Sequence, residues 1–213
     1  MPQVIRKVAS SYMIESDNQA LHVKPKKGHG KMSDQKKLHT IEEIFALPDG
    51  ERAELIDGVI YNLATPRTIH QRISMDLSYM IYNHIKEKGL DCEVYAAPFA
   101  VFPNKDEYNY LEPDICVVCD KSKLDERGCN GAPDFVIEIV SPSSQKMDYL
   151  LKMNKYQSCG VRLYWIVDPS DETVTVYDFE NEDFAKYRFS DSVPVTICQD
   201  FSIRLGSSDK TVS

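Results

Sequence analysis

Pro133-Asp-Phe-Val-Ile-Glu138-Ile-Val140 is the stretch from which the fold can be read. Apart from its two acids it is apolar, and Ser141-Pro-Ser143 follows at once. So short an apolar run between prolines reads as a strand covered on both faces, which requires a sheet with helices on either side. Glu138 stands between Ile137 and Ile139 in the middle of that burial. An ionised carboxylate there is costly unless it is paired or coordinates a cation.

Pro113-Asp114-Ile-Cys-Val-Val-Cys119 is a second run of the same kind, with an acid at its start. Two carboxylates on neighbouring strands repel, and one is driven towards protonation unless a cation lies between them. A hard divalent ion resolves the conflict, because it takes carboxylate oxygens together with water. For either acid alone, a salt bridge or a strand-end cap is the simpler reading; as a pair they favour the metal.

Around these strands the pattern is that of one α/β (α+β) domain. Thr40-Ile-Glu-Glu43 is a capping box that opens a short helix to about residue 47. Glu54 to Tyr61 is two apolar runs around Asp57-Gly58, a hairpin signal. Ile69, Ile73, Leu77, Met80, Ile81 and Ile85 keep one face of a helix over 66–88. A loosely alternating strand spans 92–102, a helix runs over 144–158 and stops before Gly160, and 162–168 is another buried strand. Segments 172–179, 184–189 and 193–197 read as a terminal antiparallel group. From residue 66 onward the order is α-β-β-β-α-β, with a mixed central sheet flanked by helices.

Charge is unevenly placed. Residues 1–37 hold 8 Lys/Arg against 3 acids, leaving 17 against 30 for the remainder of a chain with 25 basic and 33 acidic residues. The polar segment 1–37 reads as a disordered basic tail, residues 38–206 as the folded domain and 207–213 as a C-terminal tail. The acid excess of the domain argues against a generic phosphate-binding surface, so any nucleic-acid contact must be local, metal-assisted or helped by the tail. Neither a membrane span nor a secretory signal is evident, and the reading is a soluble, cytoplasmic protein. Six scattered cysteines read as reduced core thiols. Cys116 and Cys119 have metal-site spacing, but three residues apart on a strand they point to opposite faces.

On the helix over 144–158, Asp148, Lys152 and Tyr156 recur every four residues and share one flank. They form either an exposed ion pair or a device by which Lys152 reaches back over the strand ends to the two acids, and spacing alone does not choose. Ser143 or Ser144 is read as the helix N-cap; no Gly-x-Ser-x-Gly elbow supports a nucleophile. His70, in the first turn of the long helix, is by position alone a packing or surface residue.

Glu54-Leu-Ile-Asp-Gly58, His70, Glu112-Pro-Asp114, Pro133 to Ser143, Asp148…Lys152…Tyr156, Gly160-Val161 and Tyr164-Trp-Ile-Val-Asp-Pro169 occur in this order. Together they resemble the Uma-type restriction-endonuclease-like family of the PD-(D/E)XK nuclease superfamily. The resemblance spans roughly residues 38–206. It implies a restriction-endonuclease-like core and a Mg²⁺-dependent (or Mn²⁺-dependent) phosphodiesterase acting on nucleic acid, with DNA as the expected partner. By position, Asp114 and Glu138 would be metal ligands, joined by the backbone carbonyl of Ile139 or Val140. Lys152 would be the catalytic lysine, Glu54 a further acid, and His70, Asp148 and Tyr156 accessory residues. The usual Glu-x-Lys is absent, since Val140 stands where its lysine would be. Homodimerisation is an expectation of the same resemblance. The rival class is a non-catalytic nucleic-acid- or protein-binding module on the same fold.

Overall fold

The computed structural model describes residues 37–141, 147–198 and 200–206, without the side chains of Met147 and Asp148. Apart from Lys37, the two tails lie outside these residues, as do Ser143 and Ser144.

Thr40 and Glu43 close the capping box at the head of α1 (Ile41–Phe45). β1 (Ala53–Ile56) and β2 (Val59–Asn62) pair in antiparallel fashion across Asp57-Gly58. Both turn residues have positive φ, 49° and 74°, as a two-residue turn matched to strand twist demands. α2 (Thr68–Lys88) buries Ile73, Leu77, Ile81 and Ile85 and ends at Gly89 in the left-handed conformation.

The central sheet has six strands: β3 (Glu93–Ala96), β5 (Ile115–Val118), β8 (Phe135–Ile139), β9 (Leu163–Asp168), β10 (Thr173–Asp178) and β11 (Asp183–Arg188). Their spatial order is β11-β10-β9-β8-β5-β3. Every adjacent pair is antiparallel except β8 with β9. Between those two the chain crosses over through a π-helical stretch, Met147–Lys152, and α3 (Met153–Cys159). A parallel pair needs such a crossover, and it carries Lys152 to the sheet.

Alternation along the strands sorts the core into two layers. Ile115, Val117, Phe135, Ile137 and Trp165 pack with the apolar face of α2. Cys116, Val118, Val136, Val140, Tyr164 and Ile166 form the other layer with Tyr156 of α3. A third cluster, including Ala53, Leu55, Phe102 and Tyr110, lies under the hairpin.

Several expectations need correction. The strand over 92–102 is two strands, β3 and β4 (Val101–Phe102), divided at the cis Ala97-Pro98 bond. Proline offers no N–H to continue a ladder. β4 joins β6 (Leu124–Asp125) and β7 (Gly128–Asn130) in a small sheet that the sequence reading lacks, since strands this short carry no periodicity. Of the terminal group, β10 and β11 extend the central sheet, and 193–197 shortens to β12 (Val193–Pro194), paired with β13 (Ser202–Ile203). The cysteines are not all reduced: Cys92 and Cys119 form a disulfide, with Cα atoms 3.9 Å apart. The β3–β5 register ends at Glu93 opposite Val118, so these two cysteines are the next facing pair. Cys116 and Cys119 do lie on opposite faces of the sheet. No helix among the described residues is long and apolar enough to cross a membrane.

Candidate active site

The β5–β8 ladder pairs Ile115 with Ile137. One step further along an antiparallel ladder, Asp114 faces Glu138 on the same side of the sheet. Asp114 Oδ2 accepts the Ile139 backbone N–H at 2.7 Å and a hydrogen bond from His70 Nε2 at 3.0 Å. Oδ1 has no hydrogen bond to any described residue, and the side chain keeps 18% exposure at a cleft. His70 Nδ1 is buried and also lacks a partner among the described residues, so Asp114 alone orients the ring.

Glu138 and Lys152 are each 3% exposed, and Glu54, on β1, is fully buried. Lys152 Nζ lies 2.8 Å from Glu54 Oε2 and 3.0 Å from Glu138 Oε1. The hairpin thus brings one carboxylate, the sheet a second and the crossover helix the ammonium between them. Tyr156, one turn after Lys152, donates its hydroxyl to Glu138 Oε1 at 2.9 Å. Burial first, then the charges of Glu138 and Glu54, push the Tyr156 phenol well above its ordinary range, so it serves as a neutral donor. Glu54 Oε1 accepts the Glu112 backbone N–H at 3.0 Å. Beside this cluster, Lys155 reaches Asp57 of the hairpin turn at 2.5 Å, a second clamp between helix and hairpin.

Asp114, Glu138, Lys152 and His70, with Val140, line a cleft of about 860 Å³. Glu54 and Tyr156 stand behind Lys152 and Glu138. The burial of Lys152 excludes the reading of it as an exposed helix-surface ion pair. The Asp148 side chain lies outside the described ones. Sequence reasoning assigned nothing to Arg52, Arg67 or the Glu112 side chain, which line the same cleft. The alternation Arg52-x-Glu54 and Glu112-x-Asp114 was a legible signal, since residues two apart on an extended chain share a face.

Glu54 and Glu138 flank the Lys152 ammonium, and Asp114 stands at the same cleft. Among the described residues no group of three or more His, Cys, Asp or Glu side chains is disposed to hold a metal. Asp114, Glu138 and nearby main-chain oxygen would be the donors to an ion here. In kind this fits a hard ion such as Mg²⁺, which keeps several waters and binds through one or two carboxylates.

A mixed sheet with one parallel crossover, flanked by helices and carrying these acids at its strand ends, defines a restriction-endonuclease-like fold. A crystal structure of a putative nuclease belonging to DUF820 from Anabaena variabilis ATCC 29413 shares it: TM-score 0.64, 23% identity, 78% of this chain and 94% of that one. The family model described as Uma2, putative restriction endonuclease, matches residues 41–205, and the chain belongs to that family. It is also 28% identical over 134 residues to the uncharacterized protein slr1290 of Synechocystis sp. (strain ATCC 27184 / PCC 6803 / Kazusa), covering 62% of this chain and 68% of that protein. The description of the family points to a nuclease.

Proposed function

We propose that this chain is a metal-dependent endonuclease that hydrolyses phosphodiester bonds in DNA. The observation that carries the reading is the buried Lys152 ammonium, held between Glu54 and Glu138 and opening on the cleft beside Asp114. Asp114, Glu138 and the Val140 carbonyl would hold a Mg²⁺ or Mn²⁺ ion. Such an ion supplies positive charge at the phosphate and eases ionisation of the attacking water.

The protein's own groups do the rest. Lys152 presents fixed positive charge towards the cleft, where charge builds on the phosphate oxygens in the transition state. Glu54 and Tyr156 act as positioning residues, the first holding Lys152 and the second holding Glu138. His70 and the Ile139 N–H fix Asp114 through one oxygen and leave the other to the cleft.

The test incubates purified protein with double-stranded DNA, single-stranded DNA and RNA of one sequence, with and without Mg²⁺ or Mn²⁺. Cleavage of DNA that needs the ion, and that falls at least about 100-fold in Glu138→Gln and Asp114→Asn variants with unchanged circular dichroism, is expected. Absence of cleavage under every condition overturns the proposal. The acid excess outside residues 1–37 favours one other reading, a binding module without catalysis. Binding without cleavage in the same assay selects it.

A further inference from the structure

Arg52 is a cationic side chain of the cleft that the mechanism above leaves without a task. It immediately precedes β1 and lies two residues from Glu54, on the same side of the strand, while Ala53 and Leu55 enter the core beneath the hairpin. Its Nε donates to Glu112 Oε2 at 2.9 Å, and its Nη2 donates to the same oxygen. Glu112 is itself anchored. Only 9% of the residue is exposed, Oε1 accepts the Tyr110 hydroxyl at 2.6 Å, and its N–H holds Glu54.

A guanidinium carries five N–H donors in a rigid fork, and Glu112 takes two of them. Nη1 has no partner among the described residues, and the Arg52 side chain keeps 39% exposure on the cleft. Were the pair only a strut between the hairpin and residues 110–112, it would duplicate existing bonds. Leu55 and Tyr110 already exchange both backbone hydrogen bonds, at 2.7 and 2.8 Å.

We propose that Arg52 grips a phosphate flanking the one that is cut, and that Glu112 is the post that aims it. This rests on the nuclease reading and adds a second contact between the chain and its substrate. Arginine holds its charge at any working pH, and its planar edge matches two phosphate oxygens. Arg52 stands two residues from Glu54, and Glu112 two residues from Asp114, in the segments that lead into β1 and β5. That offset is about 7 Å, the scale of one nucleotide step. A site with three carboxylates also needs fixed positive charge at its mouth before a polyanion can enter.

The test compares wild type with Arg52→Lys and with Arg52→Gln/Glu112→Gln. The first keeps the charge without the fork; the second removes both partners, so that no buried carboxylate is stranded. Two substrates are used: a DNA oligonucleotide, and bis(p-nitrophenyl) phosphate, which has no flanking phosphate. For the oligonucleotide, KM rises about tenfold or more in both variants while kcat stays within about threefold. In the double variant the slope of log KM against log salt flattens by about one. Hydrolysis of the small diester is unchanged. Folded variants with wild-type KM, or with equal losses on both substrates, overturn the inference and leave the nuclease reading standing. If wild type cleaves nothing, the nuclease reading falls. Oligonucleotide binding then decides: wild-type binding weakened at least about tenfold by Arg52→Lys supports the grip, and no binding, or no such loss, overturns it.

Discussion

Replacing Lys152 by Met removes the ammonium and keeps a stem of similar length, so the apolar packing around it changes little. What remains is Glu54 and Glu138, 0% and 3% exposed, facing the space the ammonium held. Breaking a buried ion pair from one side typically costs about 3–5 kcal/mol, because the stranded charge keeps its desolvation penalty. Here two carboxylates lose the same ammonium, so the upper part of that range applies. For a domain of this size the loss corresponds to a fall in Tm of roughly 8–20 °C. The assay is urea unfolding followed by circular dichroism on Lys152→Met, Glu54→Gln and the double variant. Glu54→Gln in the Lys152→Met background removes one of the facing charges, so the double variant recovers about 1–2 kcal/mol over Lys152→Met. A loss below about 1 kcal/mol, or strictly additive single losses, refutes the claim that the ammonium lies between the two carboxylates.

Tyr156→Phe removes a hydrogen bond to a charged acceptor and costs about 1.5–3 kcal/mol by the same unfolding assay. The folded phenol titrates well above its ordinary value of 10.0. Its contribution is therefore complete below about pH 10 and is lost as pH rises through the folded value, so stability falls in alkali. Tyr156→Phe flattens that alkaline slope, and an unchanged slope counts against the buried donor. Thiol titration of the unfolded chain without reductant finds four of the six cysteines, and all six after reduction. Opening a bond that spans 27 residues lowers stability by about 3–4 kcal/mol on the chain-entropy estimate, and six titratable thiols at the outset exclude the disulfide.

The central layer can be read from the linear chain. Continuous apolar runs at 113–119, 133–140 and 162–168 have one economical placement, inside a sheet covered on both faces, and the α2 stripe supplies one cover. Asp57-Gly58 specified its hairpin because few residues tolerate positive φ at both turn positions. The acids at 114 and 138 were legible because charge inside an apolar run demands an explanation.

What answers that charge is set by the assembled fold. Lys152 on helical spacing was compatible with solvent or with the strand ends, and the crossover between β8 and β9 chose the strand ends. Glu54 reaches Lys152 from a hairpin nearly a hundred residues earlier, and Arg52 finds Glu112 sixty residues away. The Cys92–Cys119 bond likewise follows from the β3–β5 register, 27 residues apart in sequence. Local patterns encode burial and turn geometry because neighbouring residues supply them. Partner identity across strands and helices depends on register and crossover, which are set only when the whole sheet assembles.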